Sequence, residues 1–252
     1  MDTNDLKYDF VQPNQALASF VENYWFLHNT TNNDKEVVIL PDGNVDLFLS
    51  KSTLDPYHIT LHGVGVKPEV TIIKPQTLIF AISFKLLAVE YILDNSVSEI
   101  LNKVIQLPFN FWSFNKNDLN DFGAFTTKAN YKIQEKLTID IDKRKQNLFA
   151  IIYKSNGEVS IKELSEKIGW SSRQINRYFN QQFGISLKSY CNILRFRASF
   201  KHLKNGKLFP QQNFADQSHF IKEIKKLSGV SPKVLTQNQN DRFVQLSTLG
   251  KK

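Results

Sequence analysis

One cysteine, one methionine, ten glycines and eight prolines are spread over 252 residues, and each scarcity removes a class of protein. A lone thiol, Cys191, makes no internal disulfide, which excludes a disulfide-stapled scaffold and points to a reducing compartment. So little glycine and proline excludes collagen-like and low-complexity chains. Long apolar runs are missing as well. With a mean hydropathy of -0.33, no window reaches the roughly eighteen uninterrupted apolar residues of a membrane span. The opening MDTNDLKYDF lacks the basic start and apolar stretch of a secretory signal, so the expectation is a cytoplasmic chain with no membrane partner. What remains, 41% hydrophobic and 22% charged residues, is an ordinary globular composition, sufficient for one large domain or two small ones.

Charge divides the chain. Residues 1–143 hold 12 Lys+Arg against 18 Asp+Glu, and residues 144–252 hold 20 against 6, so a half of net -6 precedes one of net +14. A field that basic attracts a polyanion, because each Lys or Arg placed on a phosphate releases condensed counterions. A merely solvated face would carry the same charge, so the arrangement of the residues must decide.

From Glu36 to Lys85 the segments EVVIL, NVDLFLS, HITLHGVG, EVTII and TLIFAISF read as strands, rich in β-branched and aromatic residues. Pro41-Asp42-Gly43 between the first two is a turn signal that predicts a hairpin. After Phe84 the segments LLAVEYILDN, VSEILNKVIQL and LNDFGAFTTKANYKIQEKL carry apolar residues at helical spacing. The acidic half is thus α+β, residues 1–143, and a second helical pattern opens beyond the IDIDKRK run with Leu148, Phe149, Ile152 and Tyr153.

The basic half repeats itself at an offset of 45 residues. Ile175-x-Arg177-x-Phe179 and then Gly184-Ile185-Ser186 correspond to Phe220-x-Lys222-x-Ile224 and then Gly229-Val230-Ser231. On a helix, the two apolar residues of each copy share a buried face while the basic residue points elsewhere. In the first copy Ile161, Leu164 and Ile168 line one face of a short helix stopped at Gly169. Ser171 then caps a second helix, with Gln174 reaching back. Ile175, Phe179 and Phe183 form its buried stripe. Arg173, Asn176, Arg177 and Asn180 share its outer face, and guanidinium and amide groups are those that read guanine and adenine edges. Two short helices, a tight turn and a polar, basic second helix describe a helix-turn-helix. A basic surface helix would explain one copy; two copies at constant offset favour DNA. Between them, SLKSYCNILRFRASFKHLK reads as one long helix opening at Ser186, with Ile193, Phe196, Phe200 and Leu203 on an apolar stripe and Arg197, Lys201 and Lys204 on a basic one. It would hold the two units at a fixed separation.

GWSSRQINRYFNQQFGISLKSY followed by ADQSHFIKEIKKLSGVSP resembles the paired helix-turn-helix domain of AraC/XylS-type bacterial transcription regulators. The resemblance covers roughly residues 146–236. It implies an all-α domain, residues 144–240 with a tail at 241–252, that binds two successive major-groove segments of double-stranded DNA. It places base-facing positions on Arg173, Asn176 and Arg177 in the first unit and on Gln217, Ser218, His219 and Lys222 in the second. Three departures stand out. LKNGKLFPQQN, where the second unit's opening helix belongs, is four or five residues short and holds Gly206 and Pro210. Leu187 replaces a usual Pro, and Ser165 a usual Ala. More weakly, Tyr24-Trp25 and ILPDGNVDLF resemble a sensor-like domain found before some AraC-type domains, which implies a small cupin-like barrel that binds an effector or forms a homodimer.

Signs of chemistry are few. Asp42-x-Asn44-x-Asp46 starts like a calcium loop, but the sixth position is Leu47 and the twelfth Thr53. His58 and His62 stand about 13 Å apart along a strand, too far to share an ion. Cys191 has no nearby His or second Cys in its helical segment. No phosphate-cradling glycine loop or nucleophile elbow occurs. Trp25, Phe26, Phe111, Trp112 and Phe114 could line a ligand pocket, although core is the commoner place for such rings. The expectation is therefore a DNA-binding regulator rather than an enzyme, with no cofactor and no catalytic or metal residues. An activator is the expected kind, with RNA polymerase as a further partner. The competing expectation is an enzyme or interaction module tethered to nucleic acid by a basic helical domain.

Overall fold

The computed structural model describes residues 5–93, 98–137, 140–206, 216–239 and 242–247. Strands β1 (Leu6–Val11), β2 (Val21–Asn29), β4 (Val45–Lys51), β5 (His58–His62), β7 (Leu78–Phe84) and β8 (Val104–Leu107) form an antiparallel sheet in the order β1-β2-β7-β4-β5-β8. Strands β3 (Lys35–Ile39) and β6 (Glu69–Ile73) pair as a separate two-stranded sheet. Alternation assigns each face of the large sheet its task. Tyr24, Leu47, Leu49, Phe80 and Ile82 are buried on one face. Helix α1 (Leu86–Tyr91) and helix α2 (Phe122–Lys136) pack there, with Phe80 and Phe125 ring centroids 5.5 Å apart and Tyr24 Oη donating to Asn130 Oδ1 at 2.7 Å. The opposite face, carrying Trp25, Asp46, Phe48 and Ser83, looks across a cavity toward the small sheet.

Two sequence expectations are corrected here. Pro41-Asp42-Gly43 does turn the chain, with Gly43 at φ +85, but β3 and β4 do not pair as a hairpin. The turn carries the chain from one sheet to the other, because β4 has both edges occupied, by β5 and β7. VIQL, read as part of a helix, is strand β8. Its β-branched residues pair with the free edge of β5, so tertiary pairing overrides a weak local period.

The basic half is helical: α3 (Lys143–Lys154), α4 (Ile161–Ile168), α5 (Ser172–Phe183), α6 (Leu187–Lys204), α7 (Gln217–Ser228), α8 (Pro232–Gln237) and α9 (Val244–Ser247). The chain therefore has an N-terminal α+β part built on sheets and a C-terminal all-α part. Helix α3 begins at the charge switch, capped by Asp142, whose carboxylate accepts from Arg144 N at 2.8 Å. One continuous core joins the two parts, running from Val45, Leu86 and Leu87 through Leu148 and Ile152 to Phe179 and Leu194. Each such fully buried Leu or Phe contributes about 1.5–3 kcal/mol. Polar contacts cross the same boundary. Glu90 accepts from Tyr178 Oη at 2.9 Å and pairs with Lys145. Arg197 Nη2 lies 3.3 Å from Glu22 Oε1.

The segment after α8 docks on the sheet domain. Val38 N donates to Arg242 O at 2.7 Å, and the Gln245 side chain both accepts from Leu40 N and donates to Leu40 O, each at 2.9 Å.

Candidate functional site

The repeat seen in the sequence is also a repeat of caps. Ser171 Oγ accepts from Gln174 N at 3.3 Å at the start of α5, and Gln174 Oε1 accepts from Ser171 N at 2.8 Å. Asp216 Oδ1 accepts from His219 N at 2.8 Å at the start of α7. Both helices end on left-handed glycines, Gly184 at φ 67 and Gly229 at φ 77, conformations in which a side chain would be strained. Both are followed by a serine, Ser186 or Ser231, that caps the next helix. Ile175, Phe179 and Phe183 are buried under α5, and Phe220, Ile224 and Leu227 under α7. Burying one face this way forces the polar residues out.

Arg173 and Arg177 are accordingly exposed on α5, and Asn176 is half-buried beside them with its amide donating to Ser172 O at 3.0 Å. On α7, Gln217, Ser218 and Lys222 are exposed and His219 is half-buried. Exposed Lys225 and Lys226 add charge to the same helix. Helix α4, ended by Gly169 at φ 70, completes the first unit. The turn between α4 and α5 also accounts for Ser165, whose hydroxyl donates to Trp170 O at 2.5 Å, a bond that alanine cannot make. Of LKNGKLFPQQN, where the opening helix of the second unit is expected, Leu203 and Lys204 belong to the end of α6 and Asn205 caps it, and residues 207–213 lie outside the described residues. Helix α6, 18 residues long and thus about 27 Å, connects α5 toward α7.

Cys191 is buried and its thiol is pushed up to about 11 by that burial, which keeps it protonated and inert.

The second candidate is the cavity of about 680 Å³ between the two sheets. Cross-strand register arranges its floor in rows. Asp46 stands opposite Ser83 on one side and His62 on the other, while Phe48 stands opposite Ala81 and Thr60. Trp25 meets Phe48 edge-on at 5.1 Å, and Phe48 lies 4.2 Å from the His62 ring. Val37, Ile39, Thr71 and Ile73 of the small sheet form the roof. Arg197 and Phe200 of α6 and Val244 and Gln245 of α9 close one side.

The polar end is acidic. Glu22, Asp42 and Asp46 line it together with the single guanidinium of Arg197. Trp25 Nε1 donates to Ser83 Oγ at 2.9 Å, and Ser83 in turn donates to Asp46. Burial, then the neighbouring Asp42, pushes Asp46 up to about 8 against the opposing Ser83 bond. Burial also raises Asp42, opposed by Arg197 and by the Asn44 backbone N–H. Desolvation works against the charge on Arg197, but Glu22, Asp42, Tyr190 and Tyr153 together more than offset it and hold the guanidinium above its ordinary value. His62 is pushed down to about 4, by burial first and by His58 second, so its imidazole is neutral near pH 7.

Of the five rings proposed for a pocket, Trp25 lines the cavity. Phe114 is fully buried, and Phe26, Phe111 and Trp112 pack against the core. His58 and His62 both face the cavity rather than serving only the sheet. Sequence reading missed Glu22, Asp42, Asp46 and Arg197 as neighbours. The signal for Asp46 was present in NVDLFLS, where a carboxylate alternates with buried Val45, Leu47 and Leu49 and must face the same side as Phe48.

A sequence profile described as a domain of unknown function (DUF6597) matches residues 9–106. No curated protein matches the chain significantly in sequence. Among solved structures, ToxT from Vibrio cholerae is similar. A 1.65 Å structure shares 13% identity at a TM-score of 0.44, over 92% of this chain and 98% of that one. ToxT from Vibrio cholerae O395 shares 12% identity at 0.47, over 94% and 100%. A ToxT structure from strain SCE256 with a bound unsaturated fatty acid shares 11% identity at 0.40, over 91% and 94%.

Proposed function

We propose that the chain is a sequence-specific, AraC-type DNA-binding transcription regulator of the cytoplasm, in which the basic helical part, residues 144–240, reads an operator and the acidic part, residues 1–143, responds to a small molecule or to dimerisation. The observation that carries this is the repeated unit of cap, buried stripe, left-handed glycine and second cap, which presents α5 and α7 as two polar, basic faces. Arg173, Asn176 and Arg177 read bases from α5, and Gln217, Ser218, His219 and Lys222 dock from α7. Exposed guanidinium groups supply bidentate contacts to guanine O6 and N7, and the lysines supply phosphate contacts. No helix among the described residues is long and apolar enough to cross a membrane. The cavity between the two sheets supports control by an effector. Contact with RNA polymerase, and activation as the sign of regulation, belong to the same proposal.

The experiment is a footprint of the full chain on its own upstream DNA at physiological salt, with random duplex in competition. Protection of two adjacent major-groove faces, resistant to competitor, is the expected result. Equal and steeply salt-dependent binding to both DNAs would identify a tether instead.

A further inference from the structure

At the acidic end of the cavity, three carboxyl side chains face one guanidinium, which lies 3.3 Å from Glu22 Oε1, while Lys85, from outside the cavity lining, pairs with Glu22 Oε2 at 3.5 Å. Arg197 and Glu22 both remain 27% exposed, so the pair is loosely held. Asn23 Oδ1, also in the cavity lining, is buried without a hydrogen-bond donor. An end rich in acceptors and short of donors fits a ligand that brings donors and positive charge. Beyond it lies an aromatic wall, Trp25 and Phe48, whose ring faces attract cations and cover apolar bodies.

We propose, resting on the regulator reading above, that this cavity binds a small organic cation, an amine, amidine or guanidine on an apolar or aromatic body, whose charged head replaces Arg197 between Glu22 and Asp42. An anionic head would add a further negative charge to a desolvated acidic site, where like charges repel strongly. A cation relieves that repulsion. The raised affinity of Asp46 for its proton agrees, since burial and Asp42 both disfavour a second uncompensated negative charge there.

Replacement of Arg197 reaches the DNA-reading helices through the chain itself. Arg197 and Phe200 belong to α6, which precedes α7, and Val244 and Gln245 belong to α9, which follows it. All four line the cavity. The second reading helix thus hangs between two segments that touch the ligand, so occupancy changes how α7 sits relative to α5.

The test titrates the full chain with phenethylamine, benzamidine, agmatine and spermidine, and with phenylacetate and glucose as anionic and neutral counterparts. Tryptophan fluorescence and calorimetry are read, with Trp25→Phe identifying the reporting ring. At least one cation is expected to saturate below 1 mM, with phenylacetate and glucose at least tenfold weaker. Asp42→Asn, which removes one of the two carboxylates that flank the charged head, should weaken that cation at least tenfold. Arg197→Ala should strengthen it several-fold, because the internal competitor is gone, whereas a site built to hold an anion through Arg197 would lose its ligand. If Arg197→Ala fails to fold by circular dichroism, Glu22→Gln, which should weaken the cation, takes its place. Failure of all four cations to saturate by 10 mM, or binding of phenylacetate as tight as theirs, overturns the proposal. A footprint on the same preparations keeps the outcomes apart: an intact footprint with no cation binding leaves the regulator standing and removes only the ligand class.

Discussion

Tyr190 of the basic half donates its hydroxyl to the carbonyl of Gly43 in the acidic half at 3.2 Å, across 147 residues of chain. The same hydroxyl lies 2.9 Å from Tyr153 Oη, which in turn accepts from Leu86 N at 3.0 Å. Two tyrosines of the helical part thereby satisfy backbone groups at the turn between the sheets and at the start of α1. Burial keeps both phenols neutral, with Tyr153 pushed up to about 12 and Tyr190 raised well above the ordinary phenol value.

Tyr190→Phe should leave the Gly43 carbonyl without this donor in a buried setting. The expected loss is about 1–2 kcal/mol of stability, read as a lower denaturant midpoint with an unchanged slope. A midpoint equal to that of the parent would mean that the bond adds nothing to the joint between the two parts.

On the reading face, Arg177→Ala should cost about 1–3 kcal/mol of discrimination at one base pair. Lys222→Ala should weaken all duplexes together and lower the salt slope by about one. Asn176→Ala should cost less than Arg177→Ala, because the Asn176 amide already donates to Ser172 O. Gel-shift titrations against an operator and its single-base variants measure all three, and the order Asn176 above Arg177 would refute this assignment of roles.

Asp46 gives a pH dependence of definite sign. The groups around it are Asp42 and Glu22, the Ser83 hydroxyl, His62 and Arg197, and burial with Asp42 raises its value from near 3.8 to about 8. The folded chain therefore keeps a proton that the unfolded chain has released, and this contribution lowers stability progressively from about pH 4 to pH 8 before levelling off. Asp46→Asn should gain over the parent as pH rises through that window, by on the order of 5 °C in Tm at pH 8 and by little at pH 4. Thermal melts of the two proteins in parallel test this, and a gain that shrinks with rising pH is the contrary result.

Gln245→Ala removes two hydrogen bonds to Leu40 and should release the segment that closes the cavity. Amide exchange at Leu40 and Val38 should speed up at least tenfold, with a loss of about 1–2 kcal/mol. Unchanged protection would show that Phe243, 4% exposed in the core, holds the segment by itself.

Local signals determined the helical half almost completely. Ser171 with Gln174, Gly169, Gly184 and Gly229, and the apolar spacing of Ile175, Phe179 and Phe183 act within a few residues of one another, so caps, stops and buried face were legible along the chain. The charge switch near residue 143 was legible for the same reason, and it coincides with the start of α3. What only tertiary structure decided depends on partners distant in sequence. Pro41-Asp42-Gly43 reads as a hairpin turn, yet strand pairing with β5 and β7 makes it a passage between sheets. VIQL became a strand because β5 offered an open edge. Arg197 lies on the basic stripe that its spacing indicates, but it faces Glu22 and Asp42, whereas Lys201 and Lys204 of the same stripe are exposed. A helical period tells which residues share a face; what that face meets is settled by long-range packing, whose energy is realised only when the chain has closed on itself.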